Sequence, residues 1–392
     1  MKYDFDTIIS RRGTNSYKWD SLPADKDILP LWVADMDFRT APAIAEALAR
    51  RVAHGIFGYV RVPDEYYTAV TRWFERRHHW TFRKEWMIYT SGVVPAVSAV
   101  IKALTKPGDG VVVQTPVYNC FFSSIRNNGC RVVINPLIYE GGTYHIDFDD
   151  LERKVKEPSV KLLLLCNPHN PAGRVWTREE LCRIGEICLR NNVTVLSDEI
   201  HCELVFSGHT YIPYASVSED HLWNSVTCVS PSKSFNIAGL QIASIIARDE
   251  TVRQRIDRAI NINEVCDVNP FGVEATIAAY NEGEEWLLEL LDYLKANYDC
   301  LCAFFRTHLP EIPVTKLEGT YLVWTDCRAL HLPSDTLQTR LLEITGLWLN
   351  SGTMYGAEGE GFLRWNIACP RSVLQDALSR FKGFVDALTT EG

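Results

Sequence analysis

Residues 161–201 read KLLLLCNPHNPAGRVWTREELCRIGEICLRNNVTVLSDEIH. The uninterrupted apolar run at residues 161–166 predicts a strand that is buried on both faces, as in a parallel sheet covered by helices. Thr177, followed three residues later by Glu180, forms a capping-box pattern, and apolar residues at helical spacing come next. A second buried strand is predicted at residues 193–197. The stretch is therefore a βαβ unit.

The same alternation of short β-branched runs and helical stretches extends from about residue 86 to residue 250. Five further strands are predicted, at residues 86–90, 110–114, 131–136, 225–230 and 242–247. Seven such strands separated by helices predict a doubly wound α/β domain with a mostly parallel sheet.

The rest of the chain has a different pattern. A long helix is predicted at residues 284–309, strands near residues 319–325 and 361–368, and a last helix at residues 371–388. The stretch before residue 46 has little periodicity, and we expect it to lie over the other parts. We predict a large α/β domain at residues 47–285 and a smaller α+β domain formed by residues 1–46 and 286–392.

Composition excludes several classes of protein. The 392 residues are 46% hydrophobic and 23% charged, and their net charge is −9, which predicts a globular protein without a nucleic-acid-binding surface. No apolar run approaches the roughly 18 residues that span a bilayer, and the N-terminus lacks a signal-peptide pattern. The twelve cysteines form no C-x-x-C pair. We therefore expect a cytoplasmic protein with no metal site, no membrane partner and no nucleic-acid partner.

Residues that could bind a ligand or take part in catalysis follow several of the predicted strands. They are a Gly turn at Gly92 that opens a helix, Tyr118, Asn170, Asp198 and Lys233. Each alone has an ordinary structural explanation, but in a parallel sheet all of them lie at one edge. Together they match what pyridoxal phosphate requires: a lysine for a Schiff base, a carboxylate for the pyridine nitrogen, an aromatic ring and a helix N-terminus for the phosphate.

Three motifs with characteristic spacing strengthen this interpretation. They are N-P-x-N-P-x-G at residues 167–173, S-D-E at residues 197–199 and S-x-S-K at residues 230–233, with 28 residues from Asn170 to Asp198 and 35 from Asp198 to Lys233. In these motifs, and over essentially its whole length, the chain resembles the fold-type I pyridoxal-phosphate enzymes of the aspartate aminotransferase superfamily. The resemblance implies their transferase fold, with a seven-stranded, mostly parallel sheet in the large domain.

The resemblance also assigns roles to the cofactor-binding residues. Lys233 would form the Schiff base, Asp198 would pair with the pyridine nitrogen, and Asn170 would face the phenolic oxygen of the ring. Tyr118 would stack on the ring. The remaining cofactor contacts, mostly to the phosphate, would come from Gly92 and Val93 after the strand at residues 86–90 and from Ser230 and Ser232 close to Lys233.

The substrate carboxylate would be bound by Arg364, with Ala34 and Asn170 beside it. A guanidinium suits this task because it binds a carboxylate with two parallel hydrogen bonds.

Four segments resemble the cystathionine β-lyase or C–S lyase subgroup: residues 31–38 (LWVADMDF), 57–61 (FGYVR), 198–201 (DEIH) and 232–236 (SKSFN). His201 would contact the cofactor where most transaminases of the superfamily have a tyrosine. Gln241 stands where many have an arginine on the phosphate. In relatives, the tyrosine equivalent to Tyr59 reaches the cofactor from the partner subunit, which implies a homodimer with shared active sites.

The sequence thus predicts a carbon–sulfur β-lyase that converts cystathionine or a similar sulfur amino acid to a thiol, pyruvate and ammonia. Lys233 would remove the α-proton, and either Lys233 or Tyr59 of the neighbouring subunit would protonate the leaving thiolate. One alternative is a class I/II aminotransferase, which would use the same residues. Another is a regulatory or interaction protein that has kept this fold.

Overall fold

The computed structural model describes residues 2–21, 27–265 and 267–391. Its strands, β1 to β14 in chain order, are Leu29–Pro30, Met87–Thr90, Gly110–Val113, Arg131–Ile134, Ile138–Glu140, Thr143–His145, Val160–Cys166, Thr194–Asp198, Ser225–Val229, Ala243–Ile246, Leu322–Asp326, Leu347–Trp348, Asn350–Ser351 and Phe362–Asn366. Its α-helices, α1 to α12, are Pro42–His54, Asp64–His78, Val93–Leu104, Cys120–Asn127, Phe148–Val155, Arg178–Arg190, Glu219–Trp223, Glu250–Asn261, Pro270–Glu282, Glu284–His308, Ser334–Thr345 and Arg371–Glu391.

All seven predicted strands of the large domain lie in one seven-stranded sheet, in the order β2-β10-β9-β8-β7-β3-β4. Strand β10 is antiparallel to β2 and to β9, and the other neighbouring pairs are parallel. The prediction of a mostly parallel sheet is therefore confirmed. Local sequence gives the strand but not its direction, so the reversal of β10 was not predicted.

The apolar run in β7 is buried on both faces, as its continuity predicted. Leu162 and Leu164 pack into one apolar cluster with helix α3, whereas Leu163 and Leu165 pack into another cluster with helices α5 and α6. All four leucines are fully buried. Replacing any of them by alanine would cost about 2–5 kcal/mol, because a cavity would remain on that face.

The capping box predicted for α6 is present. The Oγ1 atom of Thr177 accepts a hydrogen bond from the backbone N–H of Glu180 (3.2 Å), and the Glu180 carboxylate accepts one from the backbone N–H of Thr177 (2.8 Å). The loop between β7 and α6 therefore ends at a defined residue.

The C-terminal part contains a three-stranded antiparallel sheet, β11-β14-β13, together with α10, α11 and α12. Strand β1 of the N-terminal stretch pairs in parallel with β12, so this stretch does join the C-terminal part. The hairpin of β5 and β6 was not predicted. The division of the chain at residues 46 and 285 stays a prediction. Among the described residues, no helix is both long enough and apolar enough to cross a membrane.

Candidate functional site

Three of the predicted site residues lie at or just beyond the carboxyl ends of adjacent parallel strands. The register pairs Cys166 of β7 with Asp198 of β8, and Asp198 with Cys228 of β9. The segments that carry Asn170, Asp198 and Lys233 therefore leave the sheet side by side at its carboxyl edge. Ligands bind at this edge in open α/β sheets.

The Lys233 amine is partly buried, and its Nζ atom donates a hydrogen bond of 2.6 Å to the carbonyl oxygen of Ala34. Burial lowers the pKa of Lys233 to about 8, and the Arg364 guanidinium acts in the same direction, against the charges of Asp35 and Asp198. A lysine with this pKa is partly neutral near physiological pH. It can therefore act as a general base or as a nucleophile.

The Asp198 carboxylate is only 3% exposed and accepts a hydrogen bond of 3.1 Å from the backbone N–H of Ile200. Burial, together with the charge of the neighbouring Glu199, raises the pKa of Asp198 to about 7. A carboxylate in this position becomes stable as an anion when a cationic group is brought against it.

Arg364 lies on β14, in the C-terminal part, and reaches the loop that follows β7. Its Nη1 donates to Oδ1 of Asn170 (3.2 Å), its Nη2 donates to the carbonyl oxygen of Trp32 (2.7 Å), and its guanidinium lies 4.8 Å from the ring centroid of Tyr355. Within the described residues, its buried Nε has no hydrogen-bond partner. The arginine is thus fixed in place and still has N–H groups to give to a carboxylate.

His201 and Tyr118 are both neutral in this environment. Burial lowers the pKa of His201 to about 3, helped by the charges of Lys233 and Arg364, and its Nδ1 has no partner in the described part of the chain. Burial raises the pKa of Tyr118, which follows β3. Both side chains can therefore offer hydrogen bonds or a ring face without carrying charge.

Gly92 precedes the N-terminus of α3, where free backbone N–H groups can bind an anion. Gly92 has φ +145° and ψ 164°, a conformation that favours glycine, and it caps a helix whose first residue, Val93, is buried. Ser230 was expected to bind the phosphate, but its hydroxyl makes hydrogen bonds within the chain. It donates to the carbonyl oxygen of Ile242 (2.6 Å) and accepts from the backbone N–H of Ser232 (3.1 Å). Phosphate binding by Ser230, and a cofactor contact from Ser232, stay predictions.

Tyr59 is a predicted site residue whose side chain lies at the surface of the single chain. Its side chain is 96% exposed, on a segment that has neither helix nor strand, and Ile56 and Phe57 beside it are also exposed.

Sequence reasoning missed the hydrogen bonds that hold the segment 32–38 against the site. Asn366 donates from Nδ2 to the carbonyl oxygens of Val33 and Asp35, both at 2.6 Å. Other donors to carbonyls of this segment are Asn350, Asn236 and Tyr321. Asn366 lies 333 residues from Val33 along the chain, so no local pattern could have identified these contacts.

Pyridoxal phosphate, which the resemblance implies, fits these residues. The buried Asp198 carboxylate suits a protonated pyridine nitrogen, the Lys233 amine suits an aldehyde, and the unpartnered Nδ1 of His201 and the α3 N-terminus offer further hydrogen bonds.

Comparison with known proteins agrees with this geometry. Residues 26–381 match the family model described as aminotransferase class I and II. The chain is 46% identical to cystathionine β-lyase PatB of Bacillus subtilis (strain 168), over 97% of this chain and 99% of that protein. The crystal structure of cystalysin from Treponema denticola, which contains a pyridoxal 5'-phosphate cofactor, superposes with a TM-score of 0.96 at 35% identity, covering 99% of this chain and 100% of that chain.

A pyridoxal-phosphate-bound C–S lyase from Staphylococcus hominis has a TM-score of 0.92 and 34% identity, covering 98% of this chain and 99% of that chain. Three observations support the same assignment: the sheet order, the residues at the strand ends and the match to the family over most of the chain. The chain is a member of the class I and II aminotransferase family and has the fold-type I architecture of the pyridoxal-phosphate enzymes.

Proposed function

We propose that this chain is a pyridoxal-phosphate-dependent carbon–sulfur β-lyase that cleaves cystathionine or another cysteine-type amino acid to a thiol, pyruvate and ammonia. The observation that carries the proposal is the cluster of Lys233, Asp198, Asn170 and Arg364 at one sheet edge. The relative that is 46% identical is a cystathionine β-lyase, and the similar solved structures include a C–S lyase, which supports a lyase over a transaminase.

Arg364 binds the α-carboxylate of the substrate. Its guanidinium is held by Asn170 and by the Trp32 carbonyl oxygen, so little side-chain entropy is lost when the carboxylate arrives. The carboxylate accepts hydrogen bonds from the N–H groups of Arg364 that do not bind Asn170 or Trp32, including the N–H of Nε. Binding here fixes the orientation of Cα with respect to Lys233.

Lys233 removes the α-proton from the bound substrate. Its amine takes this proton onto Nζ, and the pKa of about 8 makes the neutral form available at physiological pH. Pyridoxal phosphate, when bound, supplies an electron sink for the electron pair left on Cα. Asp198 keeps a proton on the pyridine nitrogen by placing a buried negative charge beside it.

The Cβ–S bond then breaks, and the thiolate leaves with the electron pair of that bond. Lys233, now an ammonium, holds a proton that can pass to sulfur, and Tyr59 of a second copy is the other candidate donor. The remaining three-carbon fragment hydrolyses to pyruvate and ammonia.

A homodimer with shared sites is part of the proposal. Tyr59 is 96% exposed, and the exposed side chains of Val52, Ile56 and Phe57 surround it along the chain. An apolar surface of this kind suits a protein interface. A second copy docked on it would carry its own Tyr59 towards the site of its partner. We also propose a cytoplasmic location, which the eleven free cysteines of the described residues support.

The test is to incubate the cofactor-loaded protein with cystathionine, and separately with cysteine, with and without added 2-oxoglutarate. We expect pyruvate and thiol or sulfide in equal amounts, with rates that do not depend on the keto acid. Formation of glutamate that requires the keto acid, with no pyruvate, would show an aminotransferase instead. Absence of both reactions would favour a regulatory role.

A further inference from the structure

Two donors share the carbonyl oxygen of Ala34. The Nζ atom of Lys233 lies 2.6 Å from this oxygen, and the hydroxyl of Tyr321 lies 2.9 Å from it. Tyr321 is fully buried, immediately before β11, and its ring lies edge-on to His201 with 6.1 Å between the ring centroids. The hydroxyl therefore contacts the group that holds the proposed base.

Contacts other than that of Tyr321 hold the backbone on both sides of the Ala34 carbonyl. Asn366 donates to the carbonyl oxygens on both sides of it, those of Val33 and Asp35, at 2.6 Å each. The Oδ1 atom of Asn366 in turn accepts the backbone N–H of Ala368 at 2.8 Å. Loss of the Tyr321 hydroxyl would thus remove one of the two hydrogen bonds that the Ala34 oxygen accepts, while the flanking contacts would still hold the backbone there.

The electrostatic effect of this hydroxyl has a definite sign. Its hydrogen, the positive end of the O–H dipole, points at the oxygen that also receives the Lys233 amine. A hydrogen bond to the ammonium form stabilises that form and raises the pKa of a lysine, so a second donor on the same oxygen opposes this rise. Burial raises the pKa of Tyr321 itself, so the phenol stays neutral and keeps its proton to donate.

We propose that Tyr321 is a positioning residue for the reaction: through the Ala34 carbonyl, it limits the stabilisation of the Lys233 ammonium, so that the neutral amine remains available as the base. This inference rests on the proposed function, because it concerns the same lysine. A Tyr321→Phe substitution would leave the other groups that act on Lys233 in place, and these are Asp35, Asp198, Cys120 and Arg364.

The experiment measures the titration of Lys233 directly. The full-length chain is freed of cofactor, and the pH dependence of Lys233 acylation by a limiting reagent is followed by mass spectrometry of its peptide. Recovery of the bound cofactor after reloading shows that the fold is retained. The matched control is Tyr66→Phe, because the Tyr66 hydroxyl is also buried and bonded, at 2.8 Å to Oγ of Ser244, away from the Ala34 segment.

We expect the midpoint for Lys233 to rise by about half a pKa unit in Tyr321→Phe, which lowers its labelling at pH 7 about threefold. The acidic limb of kcat in the loaded enzyme should move to higher pH as well, because Lys233 is a free amine only after the substrate has displaced it from the cofactor. Tyr66→Phe should leave both at the wild-type values. An unchanged or lowered midpoint in Tyr321→Phe overturns the proposal, and so does an equal shift in the control. The labelling needs no turnover, so it can succeed where the lyase assay fails, and the two proposals are tested separately.

Discussion

Arg364 donates a hydrogen bond of 3.2 Å from Nη1 to Oδ1 of Asn170, which ties β14 of the C-terminal part to the loop that follows β7. The residue proposed to bind the substrate carboxylate is thereby held by the residue proposed to face the cofactor ring. The two proposed binding functions share one hydrogen bond, and a change in the arginine should affect substrate binding first.

Arg364→Lys should raise the KM for the amino-acid substrate by about 10- to 100-fold, because an ammonium cannot make two parallel hydrogen bonds to a carboxylate. Steady-state kinetics with cystathionine measure this effect. Arg328→Lys is the control, since Arg328 also makes a two-point contact, with Asp326, at the surface. A KM that changes equally in both variants would contradict the assignment of Arg364.

Asp198→Asn should stabilise the cofactor-free chain, and more so as the pH rises. The pKa of Asp198 is raised from 3.8 to about 7, so the folded wild type binds this proton more tightly than the unfolded chain. Its contribution to stability is present at low pH and is lost as the pH rises through about 7. The asparagine has no such dependence.

The gap in unfolding free energy between Asp198→Asn and wild type should therefore widen by on the order of 2–3 kcal/mol between about pH 5 and pH 8. Urea unfolding of the cofactor-free proteins at both pH values measures it. A gap that stays constant or narrows with pH would show that Asp198 is not a buried, uncompensated carboxylate.

Sharing of active sites predicts complementation between two inactive variants. Lys233→Ala and Tyr59→Ala should each have low lyase activity. If Tyr59 acts across the interface, a mixed dimer has one site with both changes and one site with neither. After subunit exchange, an equal mixture should recover up to about a quarter of the wild-type activity. No recovery, in a mixture shown to contain mixed dimers, would place Tyr59 outside the neighbouring site.

Gly92→Ala should weaken cofactor binding and destabilise the chain by about 1–3 kcal/mol, because φ +145° at this residue is strained for any residue with a Cβ. Thermal unfolding and equilibrium binding of pyridoxal phosphate measure the two effects. Gly383→Ala, within α12, is the control: its Cβ would meet nothing within 4 Å, and it should be neutral or slightly stabilising. Unchanged cofactor affinity in Gly92→Ala would contradict a phosphate site at this turn.

The sequence predicted those features that depend on neighbouring residues. The leucines of β7 and the Thr177–Glu180 capping box are local patterns, and the structure has both where they were expected. The first strand of the large sheet was expected from residue 86, but residues 84–86 form a 3-10 turn, because a short apolar run does not mark its own end.

Contacts between distant parts of the chain could not be predicted from local patterns. Asn366 and Tyr321 resemble ordinary polar residues beside strands, and their partners Val33 and Ala34 lie 333 and 287 positions away. Of the site residues recognised through the resemblance, Asn170 contacts Arg364, and Asp198 and Lys233 lie at neighbouring strand ends. Tyr59 is exposed, and its proposed role involves a second copy. Sequence reasoning thus identified the groups with chemical roles and the segment 31–38, but not the hydrogen bonds by which this segment holds Lys233 and Arg364.

The most direct measurement is the rate of pyruvate and thiol release from cystathionine by Lys233→Ala beside the wild type, both saturated with pyridoxal phosphate. We predict equal release of the two products by the wild type and a loss of at least about 100-fold in the variant, because the base and the covalent attachment point are removed together. A Lys233→Ala rate close to that of the wild type, or a wild type that releases no thiol, would contradict the account.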